Sequence, residues 1–407
     1  MPIPLVLTLE KGAEPPPGAV HLGGPSWALH GELPEVASWP GVRLVEPDVL
    51  LPIAPRAWDD PARGGQWYAD QLGMEALWAV STGNAEVRVA VIDSGIDVAH
   101  PDLAPAVLAP YDALDQDEDP SPPCRNPETD CDTHGTSVSG VILARGNNGE
   151  GIVGMCPDCT LVPIRMLGEA GGGSLSTTIR AFEHAIANDA AVINNSWGYT
   201  EHVAVPRTLA EVIRRASTEG RGGKGALVVF AAGNADRELL DDEMEALPEV
   251  LCVSATDSYG YPTNYTNYGD PVDVSAPSAT VTITPGGGTT TTFGGTSAAA
   301  PVASGIAAWA AAQDPDLTAA ELRELVVATA VPSPLVPPSE DGHDAYYGYG
   351  EIDAQAILAR FYPDGVADAE DEPGEGGCGC ASHGVNPATG LLGGVAGLVA
   401  RSRRRRR

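Results

Sequence analysis

Four short segments of this 407-residue chain carry side chains able to perform or assist nucleophilic chemistry. Asp93 closes the apolar run Val89-Ala90-Val91-Ile92 and precedes Ser94-Gly95-Ile96-Asp97. Carboxyl ends of strands line the ligand crevice of an open α/β sheet, so an acid there can orient a base; taken alone it is more often a turn acid. His134 lies 41 residues on and opens His134-Gly135-Thr136-Ser137-Val138-Ser139-Gly140. Its imidazole could shuttle a proton, and the two glycines imply close backbone packing around it. Ser297 stands in Gly294-Gly295-Thr296-Ser297-Ala298-Ala299-Ala300-Pro301, a glycine turn running into an Ala-rich helix through Ala312. A serine there either caps the helix or exposes a hydroxyl beside free N–H groups and a positive dipole end. Asn234 follows Phe230-Ala231-Ala232-Gly233; its amide can donate to an oxyanion or simply make a turn.

These residues need elements to position them. β-branched runs predict strands over Val87–Ile92, Leu161–Met166, Ala191–Asn195, Ala226–Ala231 and Val250–Ala255. Helical spacing of Ile179, Phe182, Ala185 and Ile186 predicts a helix over Ser176–Asn188, and Thr318 with Glu321 makes a capping box before Leu322, Leu325 and Val326. Strands alternating with helices predict one α/β domain with a doubly wound, mostly parallel sheet in three layers. The chain divides into a Pro-rich leader (1–55) with strands at Pro4–Leu9 and Val42–Val45, the α/β domain (56–363), an acidic linker (364–377) and a tail (378–407). No run of 18 apolar residues occurs, and Ile3–Leu9 is too short for a signal-peptide core.

Charge narrows the partners. The net charge is −32; without the six arginines at 401 and 403–407, 17 basic residues face 55 acidic ones, a net −38. So acidic a body repels phosphate backbones, which argues against nucleic acid and for cations.

In chain order, Val-Ile-Asp93-Ser-Gly, His134-Gly-Thr-Ser, Ala-Ala-Gly-Asn234 and Gly-Thr-Ser297-Ala-Ala-Ala-Pro resemble the four signatures of the subtilisin-like serine proteases, over residues 57–362. The resemblance implies a subtilisin-like fold acting on protein or peptide substrates. Ser297 would be the nucleophile, His134 the general base, Asp93 its orienting acid, and Asn234 with the Ser297 N–H the oxyanion hole. It further implies that Ser196-Trp197-Gly198 pairs with substrate as a strand and, with Ala232 and Gly233, borders the primary specificity pocket. Read alone, Trp197 is a core residue. The nearby loop holds Asp236, Glu238, Asp241, Asp242, Glu243 and Glu245, which suggests acceptance of basic residues at the cleaved position; a solvated acidic loop is the plainer reading.

The offsets of Asp60, Asp102 and Asn148 from the triad residues are similar to those of the strong calcium site in the thermitase branch. There, carbonyls of the loop corresponding to 145–152, represented here by Arg145, Glu150 and Ile152, would complete an oxygen shell. The alternative is an Asp102 turn cap beside an ordinary Asn-Gly loop. Of seven cysteines, Cys124 with Cys131 and Cys156 with Cys159 are expected to form local disulfides, which requires an oxidising compartment. Cys378-Gly379-Cys380, the apolar 388–400 segment and the arginine run resemble the sorting tails of myxobacterial surface proteins, implying export, transient membrane contact and cleavage; a solvated basic tail is the alternative. The leader resembles the end of an inhibitory propeptide. The leading expectation is a calcium-stabilised, exported endopeptidase. A maturation protease for one partner peptide and a catalytically silent surface-binding module are the alternatives.

Overall fold

Apolar strands buried on both faces, with helices on each side, build the body of the computed structural model. It describes residues 3–9, 13–23, 26–31, 36–47, 58–126, 130–168, 172–336 and 342–363. The linker and tail calls, Cys378 and Cys380 included, fall outside these residues. In the leader, β1 (Ile3–Leu9), β2 (Val20–Gly23), β3 (Ser26–Gly31) and β4 (Val42–Pro47) form an antiparallel sheet in the order β2-β3-β1-β4. Period-two alternation puts Leu5, Leu7 and Leu9 on one side, where they meet Val36 in a small core. Two of these strands were expected from sequence; β2 and β3 are additional.

The main sheet is formed by β5 (Arg88–Asp93), β6 (Tyr111–Asp112), β9 (Thr160–Arg165), β10 (Val192–Asn195), β11 (Leu227–Ala231), β12 (Val250–Thr256) and β13 (Val274–Pro277). Two short hairpins, β7 (Cys124–Asn126) with β8 (Asp130–Cys131) and β14 (Thr282–Thr284) with β15 (Gly288–Thr290), lie outside it. The seven strands run parallel in the order β13-β12-β11-β10-β5-β9-β6. The helices are α1 (Trp67–Gln71), α2 (Met74–Val80), α3 (His134–Leu143), α4 (Leu175–Ala187), α5 (Arg207–Thr218), α6 (Thr296–Gln313), α7 (Ala319–Thr329) and α8 (Ala354–Phe361).

Strand alternation divides the interior into two cores. Val89, Val91, Val192, Val229 and Val253 pack with α3, α6 and α8, while Ala90, Ile92, Ile193, Phe230 and Cys252 pack with α4 and α5. All five strands expected from sequence are present, with ends shifted by a residue or so. β6 and β13 are additional: two and four residues long, they are too short to show a period. β5 is followed on one side by β9 and the chain then returns to β10 on the other, so the β5/β10 boundary is the topological switch point where such sheets bind ligands.

Both expected disulfides form, Cys124–Cys131 and Cys156–Cys159, and Cys252 is buried and free. Non-reducing peptide mapping after alkylation in denaturant is expected to recover both pairs as linked peptides and Cys252 as an alkylated one. Alkylation of Cys156 or Cys159 without reductant would contradict that pairing.

Candidate functional site

Asp93 ends β5 at the switch point and is fully buried. A buried carboxylate must be hydrogen-bonded, and its Oδ1 meets His134 Nδ1 at 2.7 Å and the Ser94 N–H at 2.7 Å. An acceptor opposite Nδ1 requires the proton there, so in the neutral ring Nε2 carries a lone pair. Helix α3 delivers His134 because residue 135 is glycine: a Cβ there would stand 2.3 Å from the Gly95 carbonyl oxygen and 3.1 Å from Asp93 Cβ. Asp132, one residue after the Cys124–Cys131 bridge, accepts from the His134 N–H at 2.9 Å and from Ser94 Oγ at 2.8 Å. Burial lowers the affinity of His134 for a proton, but the charge of Asp93, its hydrogen bond and the charge of Asp132 together outweigh this and hold the pKa above the ordinary histidine value.

Ser297 is the second residue of α6; Gly295 occupies the cap position and no side chain caps the helix, so the capping reading fails. The Ser297 hydroxyl donates to the Ser196 carbonyl at 3.0 Å rather than to His134. Residue 301 is a proline inside α6 and has no N–H for the carbonyl four residues back, which belongs to Ser297. Ser196 Oγ fills that vacancy by donating to the Ser297 carbonyl at 3.1 Å. Behind it, Ser304 Oγ donates to Asn194 Oδ1 at 2.8 Å and Asn194 Nδ2 to Ser196 Oγ at 3.0 Å. This buried relay ties α6 to the end of β10.

Asn234 Oδ1 accepts from the Thr296 N–H at 2.8 Å and from Thr296 Oγ1 at 3.1 Å. The backbone N–H is an obligatory donor, so the amide orientation is forced: the oxygen takes the Thr296 N–H and the NH2 is the other end of an exposed side chain. Gly233, at φ +101°, donates to Thr296 Oγ1 at 3.0 Å, and a Cβ on it would lie 2.4 Å from Asn267 Nδ2. Asn267 braces this turn: it donates to the Ala232 carbonyl at 2.8 Å and accepts from the Ala235 N–H at 3.0 Å. Thr296, Asn267 and Asp132 were missed from sequence because each acts through hydrogen bonds set by tertiary contact; only Thr296, inside the Gly-Thr-Ser segment, left a local signal. Of the segment after β10, Ser196 is buried and Gly198 exposed, while the half-buried Trp197 ring packs edge-on against Phe230 at 5.1 Å between centroids.

The six residues assigned to calcium fall around one loop. Asp60 Oδ2 accepts from the Asn147 N–H at 2.9 Å, and its buried Oδ1 has no hydrogen-bond partner. Asp102 accepts from Asn148 Nδ2 at 2.9 Å and the Ile152 N–H at 3.1 Å, while the Arg145 N–H donates to the Asp102 carbonyl at 3.0 Å. Burial pushes the Asp102 carboxyl up to about 6, reinforced by the charges of Asp60 and Glu150 against the two hydrogen bonds. Burial likewise raises Asp60. The Asn148 amide faces Asp102 with its NH2 and the Glu150 N–H with its oxygen, and Glu150 itself is exposed. Among the described residues no cluster of three acidic, histidine or cysteine side chains is spaced to hold a metal by itself. Two buried acids with an orphaned oxygen nevertheless fit a hard cation that takes carbonyls for its remaining ligands.

A buried acid on a histidine, a serine at a helix start and an oriented amide, gathered at the switch point of a parallel sheet, describe a site for acyl transfer. Residues 84–350 match the subtilase family of peptidases. The chain is 33% identical over 315 residues to a thermophilic serine proteinase of Bacillus sp. strain AK1, covering 77% of this chain and 72% of that one. It is 31% identical to the halolysin-like extracellular serine protease Nep of Natrialba magadii, over 83% of this chain and 60% of that one. Against the calcium-dependent protease of Nostoc sp. the figures are 29%, 76% and 51%, so the chain spans about half of that longer protein. A solved structure titled as proteases from Pseudoalteromonas arctica superposes with a TM-score of 0.60 at 28% identity, covering 75% of this chain and 99% of that one. The chain belongs to the subtilase family and is a serine endopeptidase of subtilisin-like fold.

Removing the Asp132 charge tests the electrostatics. In Asp132→Asn the acidic limb of the kcat/KM–pH profile is expected to move to lower pH, because one of the charges that raise the His134 pKa is gone. An unmoved limb would mean that Asp132 serves only to hold the His134 N–H.

Proposed function

We propose that peptide-bond hydrolysis by this protease runs through Asp93, His134 and Ser297, the observation that carries this being the buried 2.7 Å contact of Asp93 with His134 beside the start of α6. On substrate binding the Ser297 hydroxyl leaves the Ser196 carbonyl and gives its proton to His134 Nε2 as Oγ attacks the scissile carbonyl carbon. The new oxyanion takes hydrogen bonds from Asn234 Nδ2 and the Ser297 N–H, which has no acceptor within the first turn of α6. His134 returns the proton to the departing amine as the C–N bond breaks. Water then attacks the acyl-enzyme, again through His134. Asp93 keeps the tautomer and stabilises the imidazolium. Gly198 and its neighbours pair with the substrate backbone, and Ala232 and Gly233 form the opposite edge of the specificity pocket.

Asp60, Asp102 and Asn148, with carbonyls from the loop of Arg145, Glu150 and Ile152, would hold calcium as in the thermitase branch; its role when bound is to neutralise two buried carboxylates and fix the loop. An extracellular location is supported by a relative named as an extracellular protease and by the two disulfides. Residues 1–55 serve as an inhibitory leader of the 56–363 catalytic domain, and residues 364–407 as linker and sorting tail.

Ser297→Ala is expected to lower kcat on a protein substrate by about 10⁶-fold. Asn234→Ala should lower it by about 10²- to 10³-fold with KM little changed, the range for removing one oxyanion donor in subtilisin. A Ser297→Ala protein with unchanged activity would refute the assignment.

Calcium supplies a separate test. The raised Asp102 pKa means that the calcium-free fold loses stability as pH climbs from the ordinary carboxylate range through about 6, as the buried group ionises. Calcium at 100 times its Kd should raise Tm by roughly 5 °C, and by more above pH 6 than below pH 5. A Tm identical in EDTA and in calcium at pH 7.5 would remove the site.

A further inference from the structure

The acidic loop beyond Asn234 is not uniform in the folded chain. Glu243 is neutralised by Arg237 through contacts of 2.6 and 2.7 Å and accepts from the Leu240 N–H; Asp242 meets His202 at 2.7 Å; Asp236, Glu238 and Asp241 are exposed. Glu245 differs from all of them. It is 3% exposed, its Oε2 has no hydrogen-bond partner, and its Oε1 lies 3.1 Å from where a side chain on Gly198 would begin. Gly198 stands two residues beyond Ser196, whose carbonyl holds the Ser297 hydroxyl. A buried carboxylate with one oxygen lacking a donor is costly to ionise, and a cation reaching that oxygen offsets the cost. Glycine at 198 keeps that approach open, since any larger residue would press on the carboxyl.

We propose that Glu245 is the floor of the primary specificity pocket and selects substrates with Arg or Lys at the residue whose carbonyl is attacked. This rests on the reading of Ser297 as nucleophile and of residues 196–198 as the substrate-pairing segment. A guanidinium or ammonium entering past Gly198 donates to Oε2 and supplies the missing counter-charge. An apolar side chain leaves the acid unpaired.

In the free enzyme burial pushes the Glu245 carboxyl up to about 7, with Glu243 adding to the rise and the residue's own N–H and Arg237 opposing it. Tyr199 and the buried Cys252 thiol feel its charge, and both are raised further by it. Glu245 also borders a cleft shared by Asp241, Asp270, Asp273 and Arg323. The selectivity is therefore pH-dependent: below about 7 the acid is protonated and discriminates little, and above it the charge attracts a basic side chain.

The test is the ratio of kcat/KM for two peptides differing only in Arg or Leu at the cleaved position, which cancels the titration of His134. For the wild type the ratio is expected to exceed one and to rise from pH 6 to pH 8. In Glu245→Gln, of equal size, it should fall by about 10- to 100-fold at pH 8 and lose its pH dependence. Glu245→Asp keeps the charge and should keep most of the ratio. An unchanged ratio in Glu245→Gln, or a wild type cleaving only after large apolar residues, overturns the proposal. So does a Glu245→Gln variant altered only in the calcium dependence of its Tm, which would place the carboxyl in the service of the outer cleft. A wild type that cleaves neither peptide and matches Ser297→Ala removes the protease mechanism, and this proposal with it.

Discussion

The contact between Asp93 and His134 is the constraint around which the site is organised. A carboxylate excluded from water is tolerable only with donors at hydrogen-bond distance, and the imidazole at 2.7 Å is the side chain that meets it. Several otherwise unrelated features follow. The parallel sheet must end β5 at a switch point so that the acid faces a crevice. Residue 135 must lack a side chain so that α3 can approach Gly95. The segment closed by Cys124–Cys131 must bring Asp132 to the start of α3, where it holds the His134 N–H and adds to the field that favours the protonated ring.

The Ser297 side is fixed by different means. Pro301 interrupts the hydrogen-bond ladder of α6 one turn beyond Ser297, and the free carbonyl is taken by Ser196, itself held by Asn194 and Ser304. A helix irregularity thereby becomes a clamp between α6 and β10. Thr296 joins the same helix to Asn234 and Gly233, so Ser297, the Asn234 amide and Gly233 share one support. Preorganised donors of this kind need no rearrangement as charge develops, which is where electrostatic catalysis gains most.

The sequence reveals the sheet because its strands are continuous apolar runs, and reveals Asp93, His134, Asn234 and Ser297 because each sits in a local motif. Both disulfides are legible from the short spacing of their cysteines. Asp132, Asn194, Asn267 and Ser304 are not legible: their roles depend on partners brought close by the fold, and their own neighbours in the chain resemble ordinary turn, strand or helix sequence. The acidic loop shows the same limit. Its composition suggests a cation, but only burial and pairing separate Glu245 from Glu243, because Arg237 holds Glu243 through two direct contacts while Glu245 Oε2 has no hydrogen-bond partner.

The central claim is that Ser297 is made nucleophilic by His134 held on Asp93, and covalent labelling tests it most directly. With a fluorophosphonate, intact-mass and peptide analysis should place a single phosphonyl group on Ser297, at a rate that falls as pH drops through the His134 pKa and that is lost in His134→Ala. Labelling of another serine, or labelling of Ser297 at an equal rate in His134→Ala, would contradict the account.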